Sequence, residues 1–326
     1  MRAAYYEKNG PAADVLHHGE IDTPKPGPGE VRVKLATSGV NPSDVKSREG
    51  RTRKISYPRV VPHSDGAGII DMVGEDLPTA RVGERVWVWN AQWKRPFGTA
   101  AGYVTLPARQ AVLLPDGVDF EIGACLGIPA MTAFHAVALA DAWAGSTLLV
   151  AGGAGAVANY AIQFAKARGA VIIATVSSQP KADLALAAGA DHTIDYKRED
   201  VGARINELTD GSGVDAVIEL DFAANAKLLP SVLRPKGSVI VYGTGTPEAS
   251  IPAQWMLING IVIRFMLVYE LTKEEHQAAI AGITQMLEQK RLVHNVAATF
   301  PLDKIVEAHQ AVESGKAVGN IVVRID

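Results

Sequence analysis

The sequence predicts an α/β protein of two domains, one β-rich and the other a doubly wound parallel sheet. Three observations predict it. The chain has 326 residues, its first third carries short apolar runs between Gly- and Pro-rich turns, and from Gly123 onward strand-length and helix-length segments alternate.

A chain of this length exceeds one compact core, and a composition of 48% hydrophobic and 21% charged residues excludes a disordered or collagen-like polymer. The net charge of -3 gives no overall field for a nucleic-acid backbone or an anionic membrane, so neither partner is expected. No apolar run reaches signal-peptide or membrane-spanning length, and a cytoplasmic protein is expected. The one cysteine, Cys125, excludes an intrachain disulfide and a four-cysteine zinc site. Its small apolar neighbours read as a buried position, with a catalytic thiol the alternative.

In the first domain, residues 31–35, 68–73 and 85–89 read as strands separated by turns such as Pro24 to Gly29. In the second, strands are expected at 147–151, 171–176, 192–194, 214–220 and 238–243, with helices between them. An amphipathic helix at 272–289, capped by Thr272 with Glu274 and Glu275 in its first turn, precedes a last strand at 320–325. The apolar stretch 261–266 reads either as an edge strand that pairs with its copy in a homodimer or as core.

The most informative segment is 148–158, an apolar strand entering Gly152, Gly153, Ala154, Gly155, Ala156 and Val157 and then a helix. Gly153, Gly155 and Ala158 fit the Rossmann pattern G-x-G-x-x-G/A, in which small residues let the backbone approach a pyrophosphate and the helix N-terminus supplies free N–H groups. Alone the match fits a bare turn as well; the preceding strand, following helix and next βα unit favour a dinucleotide. An NAD site places a carboxylate at the end of the next strand. Here that end offers Ser177, Ser178 and Lys181, with no acid before Asp183, which suits the 2′-phosphate of NADPH. A solvated helix residue is the other reading of Lys181.

With that turn, the segments 39–44 (Gly-Val-Asn-Pro-Ser-Asp), 61–68, 128–133 and 272–275, and Pro301-Leu302 followed by Glu307, Ala308 and His309, resemble the medium-chain dehydrogenase/reductase superfamily from end to end. Within it the chain is most similar to the zeta-crystallin-like NADPH:quinone oxidoreductases. The resemblance implies a GroES-like catalytic domain, residues 1–122 and 263–326, and a Rossmann domain, residues 123–262. In the zinc alcohol dehydrogenases of that superfamily the first catalytic ligand is a cysteine at the position of Asn41, and the His of the Gly-His-Glu motif aligns with Ser64. His63 sits one place too early, and residues 89–95 replace the cysteine-rich lobe. No metal is therefore expected.

The resemblance further implies hydride transfer from NADPH to a quinone or related conjugated carbonyl. An alcohol must lose a proton as hydride leaves, which zinc or a basic relay assists. A quinone instead gives a delocalised anion that water can protonate, so orientation can suffice. Carried over onto matching positions, the cofactor contacts are Asn41 at the nicotinamide end, Thr132, Ala154 to Val157 at the pyrophosphate, and Ser177, Lys181 and Tyr196 at the adenosine phosphate. Asn225, Tyr242, Gly243, Thr244, Gly245, Phe265, Met266 and Leu267 line the remaining groove, and Tyr196 has a competing role as a core aromatic. Two departures stand out: Ala156 and Ala158 add methyl groups where backbone and phosphate meet, and Thr52 replaces a substrate-positioning tyrosine unless Tyr57 takes its place.

The loop also holds Arg48, Arg51, Arg53, Lys54 and Arg59, either a solvated patch or a field that steers NADPH or an anionic acceptor. Two other functions compete. One is reduction of an enal or enone double bond; the other is an NADPH-binding structural or RNA-binding protein that uses this basic loop.

Overall fold

The computed structural model describes residues 1–325 and divides the chain into two compact units, residues 1–129 with the segment from 280 onward, and residues 130–279. The chain begins in the first unit with β1 (Arg2–Tyr5), β2 (His17–Glu20), β3 (Glu30–Val40), β4 (Asp65–Val73), β5 (Arg85–Val88), β6 (Tyr103–Pro107) and β7 (Ala111–Leu113). It passes into the second with β8 (Thr147–Val150), β9 (Val171–Val176), β10 (His192–Asp195), β11 (Val214–Glu219), β12 (Leu233–Val241) and β13 (Val262–Phe265). It returns to the first unit with β14 (Val296–Pro301) and β15 (Asn320–Arg324).

In the first unit β3 is the spine, antiparallel to β4, β6 and β15. Val31, Val33 and Leu35 alternate inward with Arg32 and Lys34 outward, the period of a half-buried strand. From Ser38 to Val40 every residue is buried, so the strand carries Asn41 into the interior. Val31, Val33, Ile70, Val86, Leu106, Ile321 and Val323 make the core of this unit. After β3 the helix Pro42–Glu49 starts with proline at its first position, where no N–H is needed, and stops at Gly50, whose φ of 78° is left-handed.

The second unit is a parallel sheet in the order β10-β9-β8-β11-β12-β13. Its inner strands read as continuous apolar runs because helices cover both faces. The order reverses between β8 and β11, and the crevice beyond the strands' C-terminal ends at that point is where such sheets hold ligands. The sheet has one more strand than the five expected, because residues 262–265 pair in parallel with β12, from Ser238 opposite Val262 to Val241 opposite Phe265. This overturns the core reading of 261–266 in favour of an edge strand. It also moves the return to the first unit from 263 to 280. At the other boundary, residues 123–129 stay with the first unit: a Cβ on Gly39 would lie 2.2 Å from Ala124 O, and one on Gly127 2.4 Å from Asp65 Oδ1. Among the described residues no helix is long and apolar enough to cross a membrane.

Candidate functional site

The turn after β8 is held to the neighbouring strand. Gly152, at φ 66°, donates to Thr175 Oγ1 at 3.0 Å, Gly153 donates to Thr175 O at 2.9 Å, and Gly155 donates back to Gly152 O at 2.8 Å. The helix Ala156–Ala167 then begins with Gly155 as its cap and no side chain engaging the first-turn N–H groups. Those groups and the positive end of the helix form an anion cradle. The two glycines serve different ends. A Cβ on Gly153 would meet Ala174 Cβ at 2.7 Å and Ala185 Cβ at 3.1 Å, whereas one on the exposed Gly155 would meet only Gly152 O at 3.2 Å. Gly153 is required by packing, whereas at Gly155 the one close neighbour is a carbonyl oxygen of its own turn. Ala158 is buried, so its methyl faces the core and not the phosphate side, contrary to expectation. Of the two extra methyls only that of Ala156 lies at the partly exposed helix start, beside Val157. Ala154 is buried at the turn.

At the end of β9, Ser177 and Ser178 are partly exposed and Lys181 sits in the first turn of the helix Gln179–Ala187. Ser178 is the cap residue, yet its hydroxyl makes no cap hydrogen bond and remains available. The first acid, Asp183, is occupied by Gln179 Nε2 at 2.8 Å. Tyr196, 52% exposed, joins this corner by donating its N–H to Val176 O at 3.1 Å, which rules out a core role. Sequence reasoning missed Thr193 and Arg198, which line a pocket of about 270 Å³ here with Ser178 and Gln179. Arg198 is two residues from Tyr196, the one signal that could have found it.

At the end of β11 the buried Glu219 was also missed, although it is an acid that closes an apolar strand. Its Oε1 accepts from Asp221 N at 2.6 Å and from Asn225 Nδ2 at 2.9 Å, so the Asn225 amide is turned toward a carboxylate. Burial raises the Glu219 carboxyl, and burial plus the Glu219 charge raises the Tyr242 hydroxyl. Gly243 lies where a Cβ would be 2.2 Å from Leu220 O, Gly245 donates to Asp221 Oδ1 at 2.7 Å, and the exposed Thr244 donates to Thr246 O at 2.8 Å. Phe265, 68% exposed, meets Phe222 edge-on at 5.4 Å; Met266 donates to Val241 O, and Leu267 is exposed. These residues share with the glycine turn the C-terminal end of one parallel sheet, while Thr132 is buried in the helix Met131–Leu139.

In the first unit Asn41 is braced on both sides. Its Nδ2 donates to Asp65 Oδ2 at 2.7 Å, and its N–H donates to Asp44 Oδ2 at 2.8 Å in a capping box. The Asn41 amide nitrogen carries a second proton beyond the one given to Asp65. Asp65 is fully buried, and burial followed by the Asp44 charge raises its carboxyl well above the usual range, against hydrogen bonds from Asn41 and the Ile128 N–H. Asp44 is pushed up to about 7, by burial, against the hydrogen bonds from Asn41 and the Arg53 charge. A carboxyl whose folded value is raised gives stability that is intact below its unfolded value near 3.8 and is lost as pH rises through about 7. Wild type should therefore lose stability relative to Asp44→Asn by an amount on the order of a few kcal/mol between pH 4 and 8. Urea midpoints at the two pH values measure it, and a constant difference contradicts the assignment.

His63, at φ 78°, is buried, and burial lowers it to about 3. Thr99 donates to Asp65 O, so Ser38 must donate to Thr99 and accept from His63 Nδ1–H. His63 Nε2 then accepts from His309 Nε2–H at 2.9 Å. Both nitrogens of His63 are thereby committed to protein atoms, and among the described residues no three His, Cys, Asp or Glu side chains come together to hold a metal. Cys125 is buried, donates to Glu121 O at 3.2 Å and has its thiol raised by burial, which leaves the small-apolar reading.

The basic loop does not act as one patch. Arg48 is fully buried and pairs with Glu313 at 2.5 Å and Glu49 at 3.2 Å, while Arg51 pairs with Glu49 and the exposed Arg59 with Glu7. Arg53 and Lys54 face a second pocket of about 270 Å³ with Tyr57 and Trp93. Tyr57, not Thr52, lines that pocket; Thr52 is exposed and bonded to Ser47 Oγ at 3.3 Å.

Residues 27–116 match the family model "Alcohol dehydrogenase GroES-like domain", and residues 156–285 match "Zinc-binding dehydrogenase". The chain is 30% identical to a quinone oxidoreductase of Homo sapiens, over 99% of this chain and 97% of that one. It is 31% identical to a quinone oxidoreductase of Pseudomonas aeruginosa over 95% of each, and 27% identical to a 2-haloacrylate reductase of a Burkholderia species over 99% and 98%. Among solved structures, an NAD-dependent alcohol dehydrogenase superposes with a TM-score of 0.92 at 26% identity over all of both chains. A mycobacterial protein in complex with NADPH does so at 0.89 and 29%, over 99% of this chain and 100% of that one.

Proposed function

Because the chain belongs to the quinone oxidoreductase family of the medium-chain dehydrogenases/reductases, we propose that it reduces quinones with NADPH and without zinc. In balanced form, quinone, NADPH and one proton give hydroquinone and NADP+. NADPH supplies the hydride, and the protein supplies binding and orientation.

The observation that carries this reading is the pairing of an uncapped helix start at Gly155 with a β9 end that offers two hydroxyls and an ammonium with no acid before Asp183, while Asp195 and Glu199 on the adjoining pocket wall stand beside Arg198. The N–H groups of residues 156 and 157 take the pyrophosphate, and Ser177, Ser178 and Lys181 take the 2′-phosphate. Asn41, fixed by Asp65 and Asp44, offers its remaining amide proton to the nicotinamide or the acceptor carbonyl. With Asn41 and Ser64 at the ligand positions, the donor set does not suit zinc, and water protonates the hydroquinone anion. A second reading, reduction of a carbon–carbon double bond conjugated with a carbonyl, is favoured by the 2-haloacrylate reductase relative. NADPH oxidation with 1,4-benzoquinone, 9,10-phenanthrenequinone, a 2-alkenal and 2-chloroacrylate tests both; rates with quinones at least tenfold above the others are expected, and the reverse order overturns the first reading.

We also propose a homodimer through β13 and the helix Ala253–Asn259. That edge presents Phe265, together with Leu257 at 83% and Ile258 at 73% exposure, a patch that a second copy would cover. Light scattering at micromolar concentration should give twice 34.5 kDa for wild type and the monomer mass for Leu257→Glu/Ile258→Glu; a monomeric wild type refutes it.

A further inference from the structure

A pocket in the first unit carries a charge that a plain quinone does not need. It is lined by Arg53, Lys54, Lys94, Trp93, Tyr57 and Tyr6, with no carboxylate on its wall. Of the acids on its own elements, Glu49 holds Arg51 and Arg48, Glu7 holds Arg59, and Asp44 accepts the Asn41 N–H while its charge acts on Arg53 and Tyr6. Arg53 is fixed in place, its Nη2 on Gln92 Oε1 and its guanidinium 4.9 Å above the Trp93 ring. Tyr57 is likewise pinned, its hydroxyl donating to Lys94 O at 2.6 Å. Ser47, on the helix that Asn41 caps, also lines this pocket, so the pocket and the expected nicotinamide end share one helix.

Trp93 carries Arg53 and Lys94 over its ring, which leaves the pinned Tyr57 as the aromatic wall for a planar acceptor, and an immobilised guanidinium with neighbouring ammonium groups selects an anion bonded at the acceptor's edge. We propose that the acceptor is a planar conjugated carbonyl bearing an anionic group, a carboxylate, sulfonate or phosphate, which Arg53 binds in this pocket with Lys54 assisting. The proposal rests on the oxidoreductase reading above and adds the charge of the substrate. Like that reading, it requires only the balanced two-electron reduction already given.

The test compares 1,4-naphthoquinone with 1,4-naphthoquinone-2-sulfonate in wild type, Arg53→Gln, Arg53→Lys and Lys54→Gln. Each variant is expressed as a ratio to wild type, so the intrinsic reactivity of the two quinones cancels. In Arg53→Gln, kcat/KM for the sulfonate should fall at least tenfold more than for the neutral quinone, Lys54→Gln should fall less, and Arg53→Lys should restore most of the difference. Added salt should raise KM for the sulfonate alone. Equal losses on both quinones, or a rise confined to KM for NADPH, overturn the proposal. Calorimetric binding of the sulfonate with NADP+ present needs no turnover. If no quinone is reduced yet binding depends on Arg53, the quinone reading fails and the pocket assignment stands; if quinones turn over and binding ignores Arg53, only the pocket assignment fails.

Discussion

Gly155→Val should raise the dissociation constant for NADPH by about a hundredfold, close to 3 kcal/mol, while the melting temperature stays within a few degrees of wild type. The separation follows from what each glycine touches. Position 155 is exposed, with an ordinary φ of −69°, and a side chain there meets only one carbonyl oxygen of its own turn. A valine would instead fill the space through which a pyrophosphate reaches the free N–H groups of the helix start. Gly153→Val is the control with the opposite signature. Its side chain would collide with Ala174 and Ala185, where β9 and the helix Gln179–Ala187 pack on the turn, at a cost of roughly 1–3 kcal/mol for overpacking. Cofactor titration and thermal melts of the two variants measure both quantities. Equal melting losses, or an unchanged affinity in Gly155→Val, would show that the turn does not hold a phosphate.

Ser178→Asp with Lys181→Glu should lower the preference for NADPH over NADH by about a hundredfold. A 2′-phosphate carries nearly two negative charges, and the pair replaces a hydroxyl and a cation by two carboxylates at contact distance. At the partly exposed end of β9 each unfavourable contact is worth about 1 kcal/mol or more, and salt screens the effect. The Ser178 hydroxyl is spent on no cap, so the change removes no hydrogen bond that the helix uses. The ratio of kcat/KM values for the two nucleotides, read at low and high ionic strength, measures it. An unaltered ratio would place the adenosine phosphate elsewhere.

Much of the second unit could be read from residues, because a parallel sheet covered on both faces writes its strands as continuous apolar runs. β9 was expected at the residues it occupies, and β8 and β11 within one residue. β13 was harder to place, since a partly exposed edge strand and a core segment share the same apolar composition, and only its pairing with β12 separates them. The glycine turn was recognisable, but not the division of labour between Gly153 and Gly155, which depends on the neighbours at Ala174 and Ala185. The methyl of Ala158 was expected on the phosphate side; helical phase turns it inward.

The basic loop shows the same limit from the side of charge. Five cations within twelve positions read as one field, yet Arg48 finds Glu313, more than 260 positions away, and lies fully buried. Such pairing is invisible to composition. Glu219, an acid at the end of an apolar run, and Asp65, in a His-Ser-Asp-Gly segment, escaped notice for the same reason, since each gains meaning only when Asn225 or Asn41 is found against it.

The most direct test of metal-free hydride transfer is to strip the purified protein with a chelator, measure its metal content by mass spectrometry, and assay 9,10-phenanthrenequinone with NADPH. Unchanged turnover with far less than one metal ion per chain is the predicted result. Stoichiometric zinc whose removal abolishes turnover, and whose return restores it, would contradict the account.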